Sequence, residues 1–158
     1  MAEKFITRPA KFEKLVDYLT EQGPFETKQA AMTFAAAVGW YFVRKKVPRG
    51  KGSHGHEIRW NTFESSNDDA FIHALALAES DSIEILGRDR QEDEDDPIKV
   101  FEEYATAGLQ YIQDKCVDAP GDLLDNLLSL LAEVNTNADE PPPGLEGLTS
   151  EDLDFLGG

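Results

Sequence analysis

Apolar residues recur every three or four positions in five separate segments of this chain, and this spacing is the strongest constraint on its fold. Glycine and proline stand between segments, as at 23–24 and 120–121, where they end one helix and begin a turn. The chain is therefore predicted to be mainly α, a compact bundle of about five helices. The predicted helices cover about 9–22, 27–42, 69–79, 97–117 and 123–134.

Three stretches fall outside this helical pattern. Lys4 to Thr7 predicts a short N-terminal strand, and Ile58 to Phe63 predicts a second short extended segment. Residues 44–56 form a basic, glycine-rich connector, a composition typical of a mobile loop. Asp89 to Asp96 carries six carboxylates and one arginine, so like-charge repulsion predicts a solvated loop.

The chain divides into two parts by composition. Residues 1–134 are predicted to form the helical domain, whose first third is basic. Residues 135–158 contain three consecutive prolines and then alternate acidic with hydrophobic residues. We expect a proline-rich linker followed by a C-terminal tail that is either disordered or docks on a partner.

Charge is distributed very unevenly along the sequence. The net charge is −16, yet residues 1–60 hold 11 Lys/Arg against 6 Asp/Glu, a net +5. The remaining 98 residues hold 4 against 25, a net −21. Only the first third is therefore suited to contact a phosphate backbone, and the rest would repel one.

The sequence also predicts where the protein resides. No apolar run approaches the ~20 residues that cross a bilayer, so no membrane partner is expected. The first four residues, Met1 to Lys4, lack the basic-then-apolar plan of a signal peptide. The single cysteine, Cys116, excludes an internal disulfide. We expect a cytoplasmic protein.

None of the reactive side chains forms a convincing catalytic or metal site. His54 and His56 lack a second pair of Cys or His residues nearby, so ordinary loop histidines are favoured. Asp68 and Asp69 are favoured as helix-capping residues. Cys116 has no histidine near it in sequence, which favours packing. We expect no catalytic residue, no metal and no cofactor, and hence no enzyme.

The first 42 residues allow a DNA-binding hypothesis. A strand followed by two helices resembles the plan of ribbon-helix-helix DNA binders, and Thr27-Lys28 resembles the phosphate-facing start of their second helix. A plain helical hairpin is the alternative. The candidate DNA-contacting residues are Lys4, Arg8, Thr27, Lys28, Arg44, Lys45, Lys46, Arg49 and Lys51.

The last predicted helix and the tail allow a protein-binding hypothesis. The leucine stripe of the helix is broad, which indicates either deep burial or an interface. Leucines and a phenylalanine among the acidic tail residues could present an apolar edge to a groove. The candidate partner-binding residues are Leu127, Leu131, Leu148, Leu153, Phe155 and Leu156.

Six stretches are informative in their order and spacing: residues 8–16, 25–39, 58–64, 69–78, 101–109 and 122–128. Together they resemble the DNA phosphorothioation-associated family often called Dnd system-associated protein 4. The resemblance implies a bacterial system that replaces a backbone phosphate oxygen with sulfur, or that restricts unmodified DNA in anti-phage defence. It implies an accessory role and provides no catalytic residues to carry over.

Three functions therefore remain open. The first is a non-catalytic adaptor that binds other subunits of a DNA modification or restriction complex. The second is a DNA-binding regulator or DNA-contacting subunit that uses the basic first third. The third is an acidic, antitoxin-like or DNA-mimicking inhibitor of a nuclease. None of the three excludes a homo-oligomer.

Overall fold

The computed structural model describes residues 4–52, 57–80 and 96–137, and within them the chain is mainly helical, as predicted. The elements in chain order are β1 (Phe5–Ile6), a 3-10 turn (Ala10–Phe12), α1 (Glu13–Glu21), α2 (Lys28–Val38), a first π turn (Gly39–Val43), β2 (Ile58–Arg59), α3 (Trp60–Ser65), α4 (Asp68–Ser80), α5 (Pro97–Ile112), a second π turn (Gln113–Val117) and α6 (Leu123–Asn137).

The predicted N-terminal strand is present and pairs within the chain. β1 and β2 are antiparallel, with Phe5 opposite Arg59 and Ile6 opposite Ile58. The second extended segment is shorter than predicted, because the chain turns helical at Trp60 and forms α3. α3 buries Phe63 in the core, and this packing adds a sixth helix to the five predicted.

The centre of the fold is the close packing of α5 against α2. A Cβ added to Gly108 would lie 1.6 Å from the carbonyl oxygen of Ala35, and one added to Gly39 would lie 2.0 Å from that of Tyr104. The two backbones therefore touch where these glycines stand. The alanines of α2 allow this approach because their side chains end at Cβ, as the buried Ala31 and Ala35 illustrate.

Side-chain caps fix where the two central helices begin. The Thr27 hydroxyl accepts a hydrogen bond from the Ala30 N–H at 3.1 Å at the start of α2. At the start of α5, the Asp96 carboxylate accepts from the Ile98 N–H at 3.1 Å, and Pro97 occupies the first turn. These caps satisfy backbone donors that the helices leave unpaired.

The sixth helix lies at the edge of the core. Leu123, Leu127 and Leu130 of α6 are buried in the hydrophobic core. The Asn126 side chain donates to the carbonyl oxygens of Cys116, at 3.0 Å, and Pro120, at 3.4 Å, and so ties α6 to the end of the second π turn.

The predicted linker and tail beyond residue 137, and most of the predicted acidic loop (89–95), lie outside the described residues. Among the helices that the structure describes, none is both long enough and apolar enough to cross a membrane.

Candidate binding surfaces

The described reactive side chains serve structural roles. No three His, Cys, Asp or Glu residues in the described ranges lie close enough to hold a metal ion, and the predicted loop histidines, 54 and 56, lie outside those ranges. The Asp68 carboxylate accepts hydrogen bonds from Ser66, at 3.0 Å, and from Gln29. Burial raises the pKa of the Cys116 thiol, which disfavours the nucleophilic thiolate.

The described part of the basic connector, residues 44–52, is bound to the domain at several points. The Val47 N–H donates to the carbonyl oxygen of Glu103 on α5 at 3.3 Å, and the Ala10 N–H donates to the carbonyl oxygen of Lys51 at 2.9 Å. Pro9 also pairs with Gly52 in an antiparallel bridge. The composition of this segment predicted a mobile loop, whereas these contacts attach residues 44–52 to the domain. We call residues 44–52 the basic loop.

A buried carboxylate of α5 contacts both the basic loop and the residue that follows β1. One oxygen of Glu102 accepts the Thr7 N–H at 2.6 Å, and the other lies 3.6 Å from Arg49 Nε. Burial raises the pKa of Glu102 to about 7, although the Thr7 hydrogen bond and Arg49 oppose this shift. Glu102 therefore changes its charge near neutral pH while it touches three segments of the fold.

A cleft of about 500 Å³ opens beside Glu102, between the basic loop and the start of α5. Its lining mixes two cations, Arg49 and Lys99, with three carboxylates. Burial raises the pKa of one of these, Asp96, while its hydrogen bond from Ile98 and the nearby lysines oppose the shift. Opposite charges in the lining compensate one another, so the cleft has no strong preference for one sign of ligand.

The structure divides the nine candidate DNA-contacting residues into two sets. Five of them serve the fold. Arg8 is buried, and Thr27 caps α2. The other three form ion pairs: Lys28 Nζ lies 3.0 Å from Asp17, Lys46 Nζ lies 3.5 Å from Glu79, and Arg49 contacts Glu102. The ion pairs of Lys28, Lys46 and Arg49 offset positive charges that the sequence count had made available to DNA. The exposed remainder consists of Lys4, Arg44, Lys45 and Lys51.

Sequence reasoning missed an aromatic neighbour of these exposed cations. The first π turn precedes Arg44, and its Trp40 side chain is 39% exposed. Arg44 Nε donates to the carbonyl oxygen of Tyr41 at 3.2 Å, which holds the arginine beside the turn. The signal was the run of three aromatic residues, 40–42, separated by one valine from the three cations at 44–46. We call Trp40, Tyr41, Arg44 and Lys45 the aromatic–basic corner.

A second surface is apolar and lies on α6. Leu124, Leu128 and Leu131 are 46%, 53% and 47% exposed, and their spacing places them on one side of the helix. We call these three residues the outer leucine face. The two predicted partner-binding residues of α6 have different environments. Leu131 lies on this face, whereas Leu127 is buried in the core. The four predicted tail residues, Leu148, Leu153, Phe155 and Leu156, lie outside the described residues.

Comparison with known proteins identifies the family. No curated protein and no solved structure matches the chain. The sequence model of one family, described as DNA sulphur modification system-associated protein 4, matches residues 6–145, which is most of the chain. The match agrees with the resemblance noted in the sequence and includes both candidate surfaces. The chain therefore belongs to the DNA sulphur modification system-associated protein 4 family.

Proposed function

We propose that this protein is a non-catalytic adaptor of a bacterial DNA phosphorothioation or restriction system, and that it works by binding other proteins of that system. The outer leucine face is the observation that carries this proposal. Three leucines on successive turns of one helix remain about half exposed, although the same helix buries three others. Apolar residues clustered in this way are typical of a protein-binding surface.

The outer leucine face also indicates the chemistry of the partner. Full burial of a leucine side chain contributes about 1.5–3 kcal/mol, so covering three half-exposed leucines would contribute roughly 2–4 kcal/mol. The charged residues of α6 are both acidic, Asp125 and Glu133. The best-suited partner surface is therefore an apolar groove with basic residues at its rim.

The test is co-purification from the native host with defined system proteins as the readout. The variant replaces Leu124, Leu128 and Leu131 with serine, and we expect at least a tenfold loss of captured system protein. The matched control is Tyr18→Ser, because Tyr18 is 39% exposed on α1, away from α6. Both variants should melt near the wild-type temperature. Equal capture by the leucine variant and the wild type would contradict the proposal.

The tail provides a second contact in this proposal. Its leucines and Phe155 alternate with carboxylates, a composition suited to docking into a partner groove after folding on binding. A deletion of residues 144–158 should leave thermal stability nearly unchanged and weaken partner capture. If the truncated chain captured its partner as well as the full chain, the tail would have no docking role.

The nuclease-inhibitor alternative depends on the acidic two-thirds of the chain, part of which lies outside the described ranges. Of the 31 Asp and Glu residues, a large share lies in 81–95 and 138–158. No observation among the described residues favours this alternative over the adaptor. A nuclease that co-purifies in an inactive form would favour it.

A further inference from the structure

Arg44 adopts a backbone conformation that an arginine occupies only at a cost. It follows the first π turn with φ 58° and ψ 23°, in the left-handed region. Glycine is the usual residue at such a helix end, because it has no Cβ to collide with the backbone. Strained residues of this kind are concentrated at functional sites. The arginine side chain at this position therefore suggests a use beyond folding.

The first π turn contains Trp40 and ends at Arg44, four residues later. The Arg44 N–H donates to the carbonyl oxygen of Gly39 at 2.8 Å, which is the wide hydrogen bond of a π turn. Trp40 and Arg44 therefore belong to one hydrogen-bonded turn, and Lys45 follows directly.

Trp40 is held in place although it is partly exposed. Its ring meets the Tyr104 ring edge-on, with the centroids 5.4 Å apart. The Tyr104 hydroxyl donates to Glu79 at 2.5 Å, and Glu79 also pairs with Lys46. The indole consequently needs little further ordering to become a binding platform, which lowers the entropic cost of stacking.

The charges around Trp40 favour an anion with a flat ring. Lys46 is paired with Glu79, whereas Arg44 and Lys45 are exposed. An exposed aromatic ring beside cations provides both contacts that unpaired nucleotides use, base stacking and phosphate pairing. A duplex presents phosphates, but its base faces are stacked on one another and cannot stack on the indole. The carboxylates of an acidic peptide could pair with the cations but would not stack on the indole.

We propose that the aromatic–basic corner binds single-stranded nucleic acid, with Trp40 stacked on an unpaired base and Arg44 and Lys45 in contact with adjacent phosphates. This site is separate from the outer leucine face and does not depend on the adaptor function. The net charge of −16 repels nucleic acid at long range. Salt near 0.1 M screens charges beyond about 10 Å, so close contacts decide binding there.

The test uses the full chain carrying Trp60→Phe, which leaves Trp40 as its single tryptophan reporter. A 12-nucleotide oligothymidylate in about 0.1 M salt should quench Trp40 fluorescence, and affinity should fall as salt rises. In separate anisotropy titrations with labelled oligonucleotide, Trp40→Ala should weaken binding roughly 5- to 100-fold, the range expected for one stacked base.

The charge test uses two double variants with the same loss of charge. Arg44→Gly with Lys45→Ala should weaken binding at least tenfold, and the glycine also relieves the backbone at residue 44. Lys14→Ala with Lys115→Ala removes two exposed lysines elsewhere, from α1 and the second π turn, and should bind like the wild type.

Several outcomes would overturn the proposal. The first is an absence of oligothymidylate binding, and the second is equal binding of a duplex without Trp40 quenching. The third is displacement of the oligonucleotide by an equal charge concentration of polyglutamate. The fourth is an equal loss of affinity in the two double variants. Binding that survives serine substitution of Leu124, Leu128 and Leu131 would separate this site from the adaptor surface.

Discussion

Helices α5 and α6 follow one another in the chain but differ in how much of their surface the protein itself uses. Ten of the 16 residues of α5 are buried, on sides that meet α2, α4 and the basic loop. α6 buries one side through Leu123, Leu127 and Leu130 and leaves the outer leucine face open. Both helices are rich in apolar residues, so composition alone does not distinguish a central helix from a peripheral one.

This difference separates residues that determine folding from residues that are available for binding. Substitutions on α5 should change folding, because nearly every side of it is packed. Substitutions on the outer leucine face should change binding and leave folding almost intact. Substitutions in the two helices and in the basic loop test this separation.

The strongest test of α5 is Gly108→Ala. The new Cβ would overlap the carbonyl oxygen of Ala35, so α2 and α5 would have to move apart. We expect unfolding to become easier by about 3 kcal/mol or more, measured by urea denaturation. Gly50→Ala is the control, because its Cβ would meet no atom within 4 Å and only φ of +71° opposes it. The control should lose about 1 kcal/mol, and similar losses in both variants would refute the close contact.

On α6, two adjacent leucines provide a matched pair. Leu127→Ala removes a core side chain and should cost about 2–4 kcal/mol. Leu128→Ala removes a side chain that is 53% exposed and should change stability by no more than about 0.5 kcal/mol. Urea denaturation of both variants provides the measurement. A large cost at Leu128 would mean that the outer leucine face is covered within the protein itself.

The burial of Glu102 on α5, beside the basic loop, should appear as a pH dependence of stability. Burial raises the pKa of Glu102 from 4.5 to about 7, so between these values the folded state binds more protons than the unfolded state. This contribution to stability is complete below pH 4.5 and is lost as pH rises through 7. From about pH 5 to 7.5, wild type should therefore lose about 2 kcal/mol relative to Glu102→Gln. Parallel stability curves for the two proteins would contradict this assignment.

Replacing Arg44, the first residue of the basic loop, should give the smallest effect, a gain in stability. Arg44→Gly should stabilise the fold by roughly 0.5–1 kcal/mol, because glycine accepts a positive φ without strain. Asn67→Gly is the control, since Asn67 also has a positive φ, 64°, and asparagine tolerates this region better than arginine. The Asn67→Gly variant should gain less stability than Arg44→Gly. Thermal melts compare the two, and destabilisation by Arg44→Gly would show that the arginine serves the fold.

Local patterns in the sequence predicted the helices well. Thr27 and Pro97 marked helix starts, and Gly23 with Pro24 marked a helix end, because capping and chain breaking depend on residues close in sequence. The family was also recognisable from the order of its stretches. The helical nature of residues 60–65 was missed, because the packing of Phe63 against a distant helix decides it.

Contacts between distant residues limited the prediction of the candidate sites. Arg49 and Glu102 lie far apart in sequence, so a count of charges could not show that they pair. Likewise, the periodicity of α6 indicated a broad stripe but not which leucines meet the core. The π turn that exposes Trp40 has no simple pattern, although the adjacent aromatic and basic runs marked the place.

The two glycines between α2 and α5 have a consequence for how this family can evolve. An added side-chain atom at Gly39 or Gly108 would collide with backbone atoms of the opposite helix. Most packed pairs tolerate a larger residue when a neighbouring side chain becomes smaller, but a peptide carbonyl cannot be made smaller. No second substitution can therefore compensate for the loss of either glycine while the helices keep this distance. We therefore expect each glycine to be required independently of the substitutions that accumulate elsewhere in the sequence.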